Sequence, residues 1–202
     1  METFTEVRGI AAPLLQPNVD TDVIIRVERC VRTPKEELGR YAFEALRLRP
    51  DGSEDPQFVL NRDPWRSAKI LVCGENFGCG SSREMAVWAI AGMGVRCVIA
   101  PSFGEIFHGN CFQNGLLAIR LEPQTVERLA RRAADPGTAT FTVDLERQLI
   151  NEDTAFEIDP LQRKALLEGL DAIGLTLSRE SEIAAFQAAD RKRRPWVYEL
   201  PA

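Results

Sequence analysis

The sequence predicts an α/β domain with parallel strand pairing. Three observations predict it. The runs Ile70–Cys73, Val95–Ala100 and Leu116–Leu121 are short, apolar and free of polar alternation, as strands buried on both faces are. Between them lie two stretches of helical character, Glu84–Ala91 and Ser102–Asn114. Alternation of this kind is most simply satisfied by parallel strands with helical crossovers.

The elements follow in order. Val7–Ala12 and Val23–Val27 read as short strands joined by Pro17-Asn18-Val19-Asp20-Thr21-Asp22. From Pro34 to Leu48, apolar residues at Leu38, Tyr41, Ala42, Ala45 and Leu48 repeat with a helical period. Pro50-Asp51-Gly52-Ser53 stops that helix, and a polar loop runs to Gln57. The helix Glu84–Ala91 is closed by Gly92 or Gly94, and Ser102–Asn114 by Gly115. Pro123 opens a helix to Ala134, which Asp135-Pro136-Gly137 ends.

The last third differs in kind. Thr140–Asp144, Arg147–Ile150 and Ala155–Ile158 read as short strands, with Asn151-Glu152-Asp153 as a hairpin turn. Asp159-Pro160 is a cap and first-turn pair opening a helix to Leu170. A final helix is expected over Arg179–Asp190, followed by a tail whose Trp196 and Tyr198 suggest docking.

Composition narrows the functional classes. A net charge of −5 over 202 residues argues against nucleic acid, because phosphate binding needs a basic face. The basic run Arg191-Lys192-Arg193-Arg194 reads as a solvated helix end. No membrane-spanning run and no signal-peptide pattern is visible, so a cytoplasmic chain is expected. The cysteines Cys30, Cys73, Cys79, Cys97 and Cys111 are odd in number and irregularly spaced, which suits a reducing compartment. With no Cys-x-x-Cys pair and one histidine, His108, no self-contained metal or cluster site is expected. Cys73 and Cys97 lie inside apolar runs and read as small core residues.

The chemistry concentrates between the first apolar run and the helix after it. Gly74-Glu75-Asn76-Phe77-Gly78-Cys79-Gly80-Ser81-Ser82-Arg83-Glu84 reads as strand, glycine-rich turn and helix start. Glycines let backbone N–H groups approach a ligand, and a helix N-terminus favours an anion. The Arg83 guanidinium matches a carboxylate in shape and charge. A plainer reading is also open: Ser81-x-x-Glu84 has the spacing of a capping box. That would explain Ser81 and Glu84, but not the two glycines, the second serine or Arg83. Walker A and Gly-x-Gly-x-x-Gly patterns are not met. A Ser–His hydrolase is disfavoured, since Gly-x-Ser-x-Gly is absent and His108 is distant in sequence.

Three segments in order carry a resemblance. They are Asn18-Val19-Asp20-Thr21-Asp22, Glu75 to Glu84, and Val98-Ile99-Ala100-Pro101-Ser102-Phe103. Asn114-Gly115-Leu116-Leu117 and Gly169 to Leu177 extend it. The chain resembles the small subunits of the isopropylmalate dehydratase branch of the aconitase family. The resemblance implies a swivelling β/β/α domain over 1–178, with a C-terminal helix and tail over 179–202. It implies a hydro-lyase that interconverts 2- and 3-isopropylmalate in leucine biosynthesis. It also implies a large-subunit partner carrying a 4Fe–4S cluster, whose iron acts as Lewis acid on the departing hydroxyl. By position, Ser81 would be the catalytic base. Ser82, Arg83, Asp20, Thr21, Arg32 and Thr33 would bind the small dicarboxylate substrate, with Arg83 as carboxylate clamp and the segment Val27–Arg40 shaping substrate choice. Met85 and Val87 stand where the family usually has His and Pro. That leaves open a relative acting on citramalate, dimethylmalate or another alkyl-malate. A non-catalytic anion-binding module is the rival of another class.

Overall fold

A computed structural model describes residues 1–198. The chain opens with β1 (Glu6–Leu14), followed by two short helices, α1 (Thr21–Ile24) and α2 (Val27–Arg32). A 3-10 segment, Lys35–Tyr41, leads to α3 (Glu44–Arg47) and then to a long irregular connection. Next come β2 (Ile70–Cys73), α4 (Glu84–Gly92), β3 (Cys97–Ala100), α5 (Glu105–Gln113), β4 (Leu117–Arg120) and α6 (Pro123–Ala134). The last part contains β5 (Thr140–Asp144), β6 (Leu149–Ile150), β7 (Thr154–Ala155), α7 (Pro160–Glu168), α8 (Ala172–Leu177) and α9 (Glu180–Arg193).

The strands form one mixed sheet in the order β4-β3-β2-β1-β5-β6-β7. β1 joins its two halves. Residues Ala11–Leu14 pair in parallel with β2, while Glu6–Ile10 pair antiparallel with β5. β2, β3 and β4 continue in parallel, and β5, β6 and β7 in antiparallel. Every residue of β2 and β3 is buried, which is why both read as unbroken apolar runs. The crossovers through α4 and α5 run in the same direction, so the two helices lie side by side. α6 returns the chain and packs on β1, β2 and β3. Cys73, Cys97 and Cys111 sit fully buried in this core. Among the described residues, no helix is long and apolar enough to cross a membrane.

Several expectations are corrected. Val23–Val27 is not a strand: Asp20 Oδ1 accepts from the Val23 N–H at 2.8 Å, and that cap starts α1 in its place. The helix expected from Pro34 to Leu48 breaks at Phe43, which is buried in the left-handed region at φ 56°. Its apolar period marks the core face in part: Leu38 and Ala42 are buried, Tyr41 and Leu48 half-buried, and Ala45 exposed. The helix expected from Ser102 begins at Glu105, because Ser102 is engaged elsewhere. β6 and β7 are two residues each, shorter than expected. They flank a tight turn in which Asn151 and Glu152 both have positive φ. In the tail, Trp196 is 67% exposed. The Tyr198 hydroxyl donates to Asp190 on α9 at 3.1 Å.

Candidate active site

The parallel strands place the carboxyl ends of β1, β2 and β3 at one edge, and the three motif segments leave from those ends. In open α/β sheets this edge is where ligands bind. The backbone then ties the segments together. Asn18 N–H donates to Glu75 O at 2.9 Å, Gly78 N–H to Val19 O at 2.7 Å, and Thr21 N–H to Cys79 O at 2.9 Å. Phe77 N–H donates to Ser102 O at 3.1 Å, and Gly104 N–H to Phe77 O at 2.9 Å. The Asn76 N–H donates to Ser102 Oγ at 2.8 Å. Segments remote in sequence thus form one laced platform.

Two of its turns need unusual backbone. Asn18 and Asn76 both lie in the left-handed region, which asparagine tolerates. Their side chains bond each other, Asn76 Nδ2 to Asn18 Oδ1 at 2.8 Å. Gly78 and Gly80 have φ of 71° and 88°. At Gly78 a Cβ would overlap the buried Phe107 ring, so only glycine fits on both counts.

The platform presents Ser81 and Ser82 to solvent. The Ser81 carbonyl is pinned by Thr21 Oγ1 at 3.1 Å and by the Arg83 N–H at 2.8 Å. No capping box forms. Arg83 itself occupies the cap position of α4 and no side chain caps that helix. Glu84 turns away and accepts from Asn114 Nδ2 at 2.8 Å. The first N–H groups of α4 are therefore left without a side-chain partner at the edge where Ser81 and Ser82 sit.

Arg83 is already paired within the chain. Its Nη1 lies against Asp22 Oδ1 in an ion pair, with side-chain exposures of 20% and 56%. The paired carboxylate holds the guanidinium above its ordinary pKa, so it stays charged. Nη1 is buried against that carboxylate, so the donors left for an incoming oxygen are the other N–H groups of the guanidinium. Asp22 was missed as a site residue, because nothing in its local pattern announces a distant arginine.

The remaining candidates differ in placement. Asp20 spends Oδ1 on the α1 cap. Thr21 is 1% exposed, its hydroxyl engaged with Ser81 O. Both hold the loop from beneath. Arg32 ends α2, is exposed, and joins no ion pair among the described residues. Thr33 follows it, its N–H bonded to Arg29 O at 3.1 Å. α2 does approach the site: burial pushes the Cys30 thiol up, and the Arg83 charge pulls it back in part. Cys79, within the loop, is also pushed up by burial and by nearby Asp20, which disfavours its thiolate form.

Met85 packs against the core and Val87 is fully buried. Met85, half-buried in the first turn of α4, stands two residues from Arg83. His108 lies between Phe103 and Phe112, with ring centroids 5.3 and 5.0 Å away. It packs there between two aromatic rings. Among the described residues, no group of three or more His, Cys, Asp or Glu side chains could hold a metal. With three cysteines sealed in the core, this chain's thiols do not fit a cluster.

Residues 1–124 match the family model of the aconitase C-terminal domain. Residues 173–199 match the model of the C-terminal domain of 3-isopropylmalate dehydratase small subunits. A protein of Gluconacetobacter diazotrophicus named 3-isopropylmalate dehydratase small subunit is 50% identical over 200 residues, 97% of each chain. The chain belongs to the family of 3-isopropylmalate dehydratase small subunits. A namesake from Paramagnetospirillum magneticum is 50% identical over 201 residues, 98% of this chain and 100% of that one. The crystal structure of a 3-isopropylmalate dehydratase chain from Methanocaldococcus jannaschii superposes with a TM-score of 0.64 at 27% identity. It covers 89% of this chain and 98% of its own. The fold is thus the swivelling β/β/α domain of this family. As small subunits, its members belong to a heteromeric enzyme with a large-subunit partner.

Proposed function

We propose that this chain is the small subunit of a cytoplasmic hydro-lyase interconverting 2-isopropylmalate and 3-isopropylmalate in leucine biosynthesis. One observation carries the reading: an exposed Ser81 stands beside an uncapped helix start and beside Arg83, whose guanidinium is held in place by Asp22.

Arg83 takes one substrate carboxylate on its fork. Ser82 offers a second hydrogen bond from the same turn. Ser81 then removes the proton from the carbon beside a carboxylate, while the C–O bond of the neighbouring carbon breaks and hydroxide leaves. Rehydration in the opposite sense returns the proton through Ser81 and a hydroxyl to the other carbon. The α4 N-terminus and Arg83 supply positive potential that lowers the cost of an alkoxide at Ser81. Lewis acidity for the hydroxyl is assigned to a 4Fe–4S cluster held by the large subunit. Asp20 and Thr21 act by holding the loop. Arg32 and Thr33, at the end of α2 and just after it, contact the substrate's alkyl end.

The test is anaerobic reconstitution with the large subunit from the same organism. Isopropylmalate, citramalate and dimethylmalate are compared as substrates. Preference for isopropylmalate, with neither chain active alone, is the expected result. Preference for another diacid reassigns the pathway and keeps the mechanism. No turnover of any diacid by the loaded complex overturns the reading in favour of a non-catalytic module.

A further inference from the structure

Asn114 ends α5 and precedes the left-handed Gly115. Its carboxamide is fully used. Oδ1 accepts from Trp88 Nε1 at 2.8 Å, and Nδ2 donates to Glu84 Oε1 at 2.8 Å and to Asn110 O at 2.9 Å. The orientation of the amide is forced. An indole N–H only donates, so the oxygen must face Trp88 and the nitrogen must face Glu84. Glu84 and Trp88 lie four residues apart on one face of α4. Asn114 therefore grips that helix on its first and second turns, and Lys35 closes over the Trp88 ring at 4.4 Å.

This grip matters because α4 has no cap of its own. The spacing Ser81-x-x-Glu84 offers an alternative in which the Glu84 carboxylate folds back over the turn. There it would place a negative charge at the anion edge, next to Arg83, in competition with a substrate carboxylate. The structure avoids that alternative by holding Glu84 on the far side.

The geometry points to Asn114 as a positioning residue that keeps Glu84 out of the anion site, so that Asp22 is the one carboxylate paired with Arg83 among the described residues and the rest of the fork faces substrate. It rests on the hydro-lyase reading above, which supplies the anionic substrate. Asn114 touches no reacting atom. Its effect appears in substrate affinity more than in turnover.

The experiment uses the reconstituted two-subunit enzyme and exchanges donor for acceptor. Asn114→Asp keeps the acceptor for Trp88 and sets a carboxylate against Glu84, driving it away. KM for isopropylmalate is expected to rise about tenfold or more, with kcat changed less than about threefold. Adding Glu84→Gln restores a donor–acceptor pair with the polarity reversed. The double variant is expected to return to within about threefold of the original KM. An unchanged KM in Asn114→Asp, a loss confined to kcat, or no recovery in the double variant overturns the proposal. If Asn114→Asp yields no assembled complex, Trp88→Phe releases the other end of the amide. A KM raised several-fold there supports the proposal, and an unchanged one overturns it. A wild-type complex that turns over no isopropylmalate overturns the underlying hydro-lyase reading instead.

Discussion

Arg83 and Asp22 form an ion pair that ties the cap of α4 to the first turn of α1. The pair is asymmetric in exposure: the arginine is mostly covered and the aspartate faces water. Solvent screens such a pair, so its worth lies in aiming the guanidinium more than in stability. Arg83→Lys keeps the charge and loses the fork. KM is expected to rise about tenfold or more, read by steady-state kinetics of the assembled enzyme. Asp22→Asn keeps an oxygen acceptor at the same place and should change KM less. The reverse order would remove Arg83 from the role of carboxylate ligand.

The two loop glycines should separate in cost. At Gly78 the backbone is left-handed and a Cβ meets the Phe107 ring. That ring cannot yield, because it packs edge-on to Phe77 at 5.6 Å and stacks on Phe103 at 6.4 Å. Gly78→Ala is expected to destabilise by about 3 kcal/mol or more. At Gly80 the nearest atom to a Cβ is Asp20 Cβ at 3.4 Å, ordinary contact, so only the φ of 88° resists. Gly80→Ala should cost about 1 kcal/mol. Denaturant unfolding of the two variants decides the order.

His108 gives the fold a pH dependence of known sign. Burial, and then the Arg120 charge, lower its pKa from 6.5. The unfolded chain therefore binds the proton more readily than the folded one. Stability from this group is fully present above pH 6.5 and is lost as pH falls through the folded pKa. The slope is at most one proton. His108→Gln should flatten that part of the stability curve, measured by thermal unfolding between about pH 5 and 7. A curve of unchanged slope would place the titration elsewhere.

We place a boundary near Ser178. Asp190 is the one buried residue of α9, and it is bound by Arg194 at 2.7 Å and by Tyr198 at 3.1 Å, all within the same end of the chain. Phe186 is 63% exposed although it leans towards Leu161 and Leu175. A chain ended after Ser178 should still unfold cooperatively, with its midpoint within about 5 °C of the full length. Non-cooperative melting would show that the C-terminal helix belongs to the core.

How much of this was legible depended on where the deciding contact lies. β2 and β3 were readable because burial on both faces writes an apolar run. α6 was readable to the residue, since Pro123 and Asp135-Pro136-Gly137 punctuate both ends. α1 was not, because Val23-Ile24-Ile25 has strand composition and one cap from Asp20 overrides it. The serine turn was readable as an anion site, but its supports were not. Asp22, Glu84 and Asn114 act through partners distant in sequence, and one chain carries no trace of such pairings.

The sharpest consequence concerns Ser81. Its hydroxyl is exposed and takes part in no hydrogen bond among the described residues, while its carbonyl carries the structural contacts. Ser81→Ala therefore removes chemistry and leaves the loop intact. Co-purification with the large subunit and the melting midpoint should be unchanged. Apparent KM should hold, because Arg83 and the helix N-terminus still bind the carboxylate. Turnover should fall by about a thousandfold or more, the scale of a lost proton-transfer group. Single-turnover measurement of proton exchange at the carbon beside the carboxylate gives the direct check. Exchange at the original rate in Ser81→Ala would pass the base to another residue.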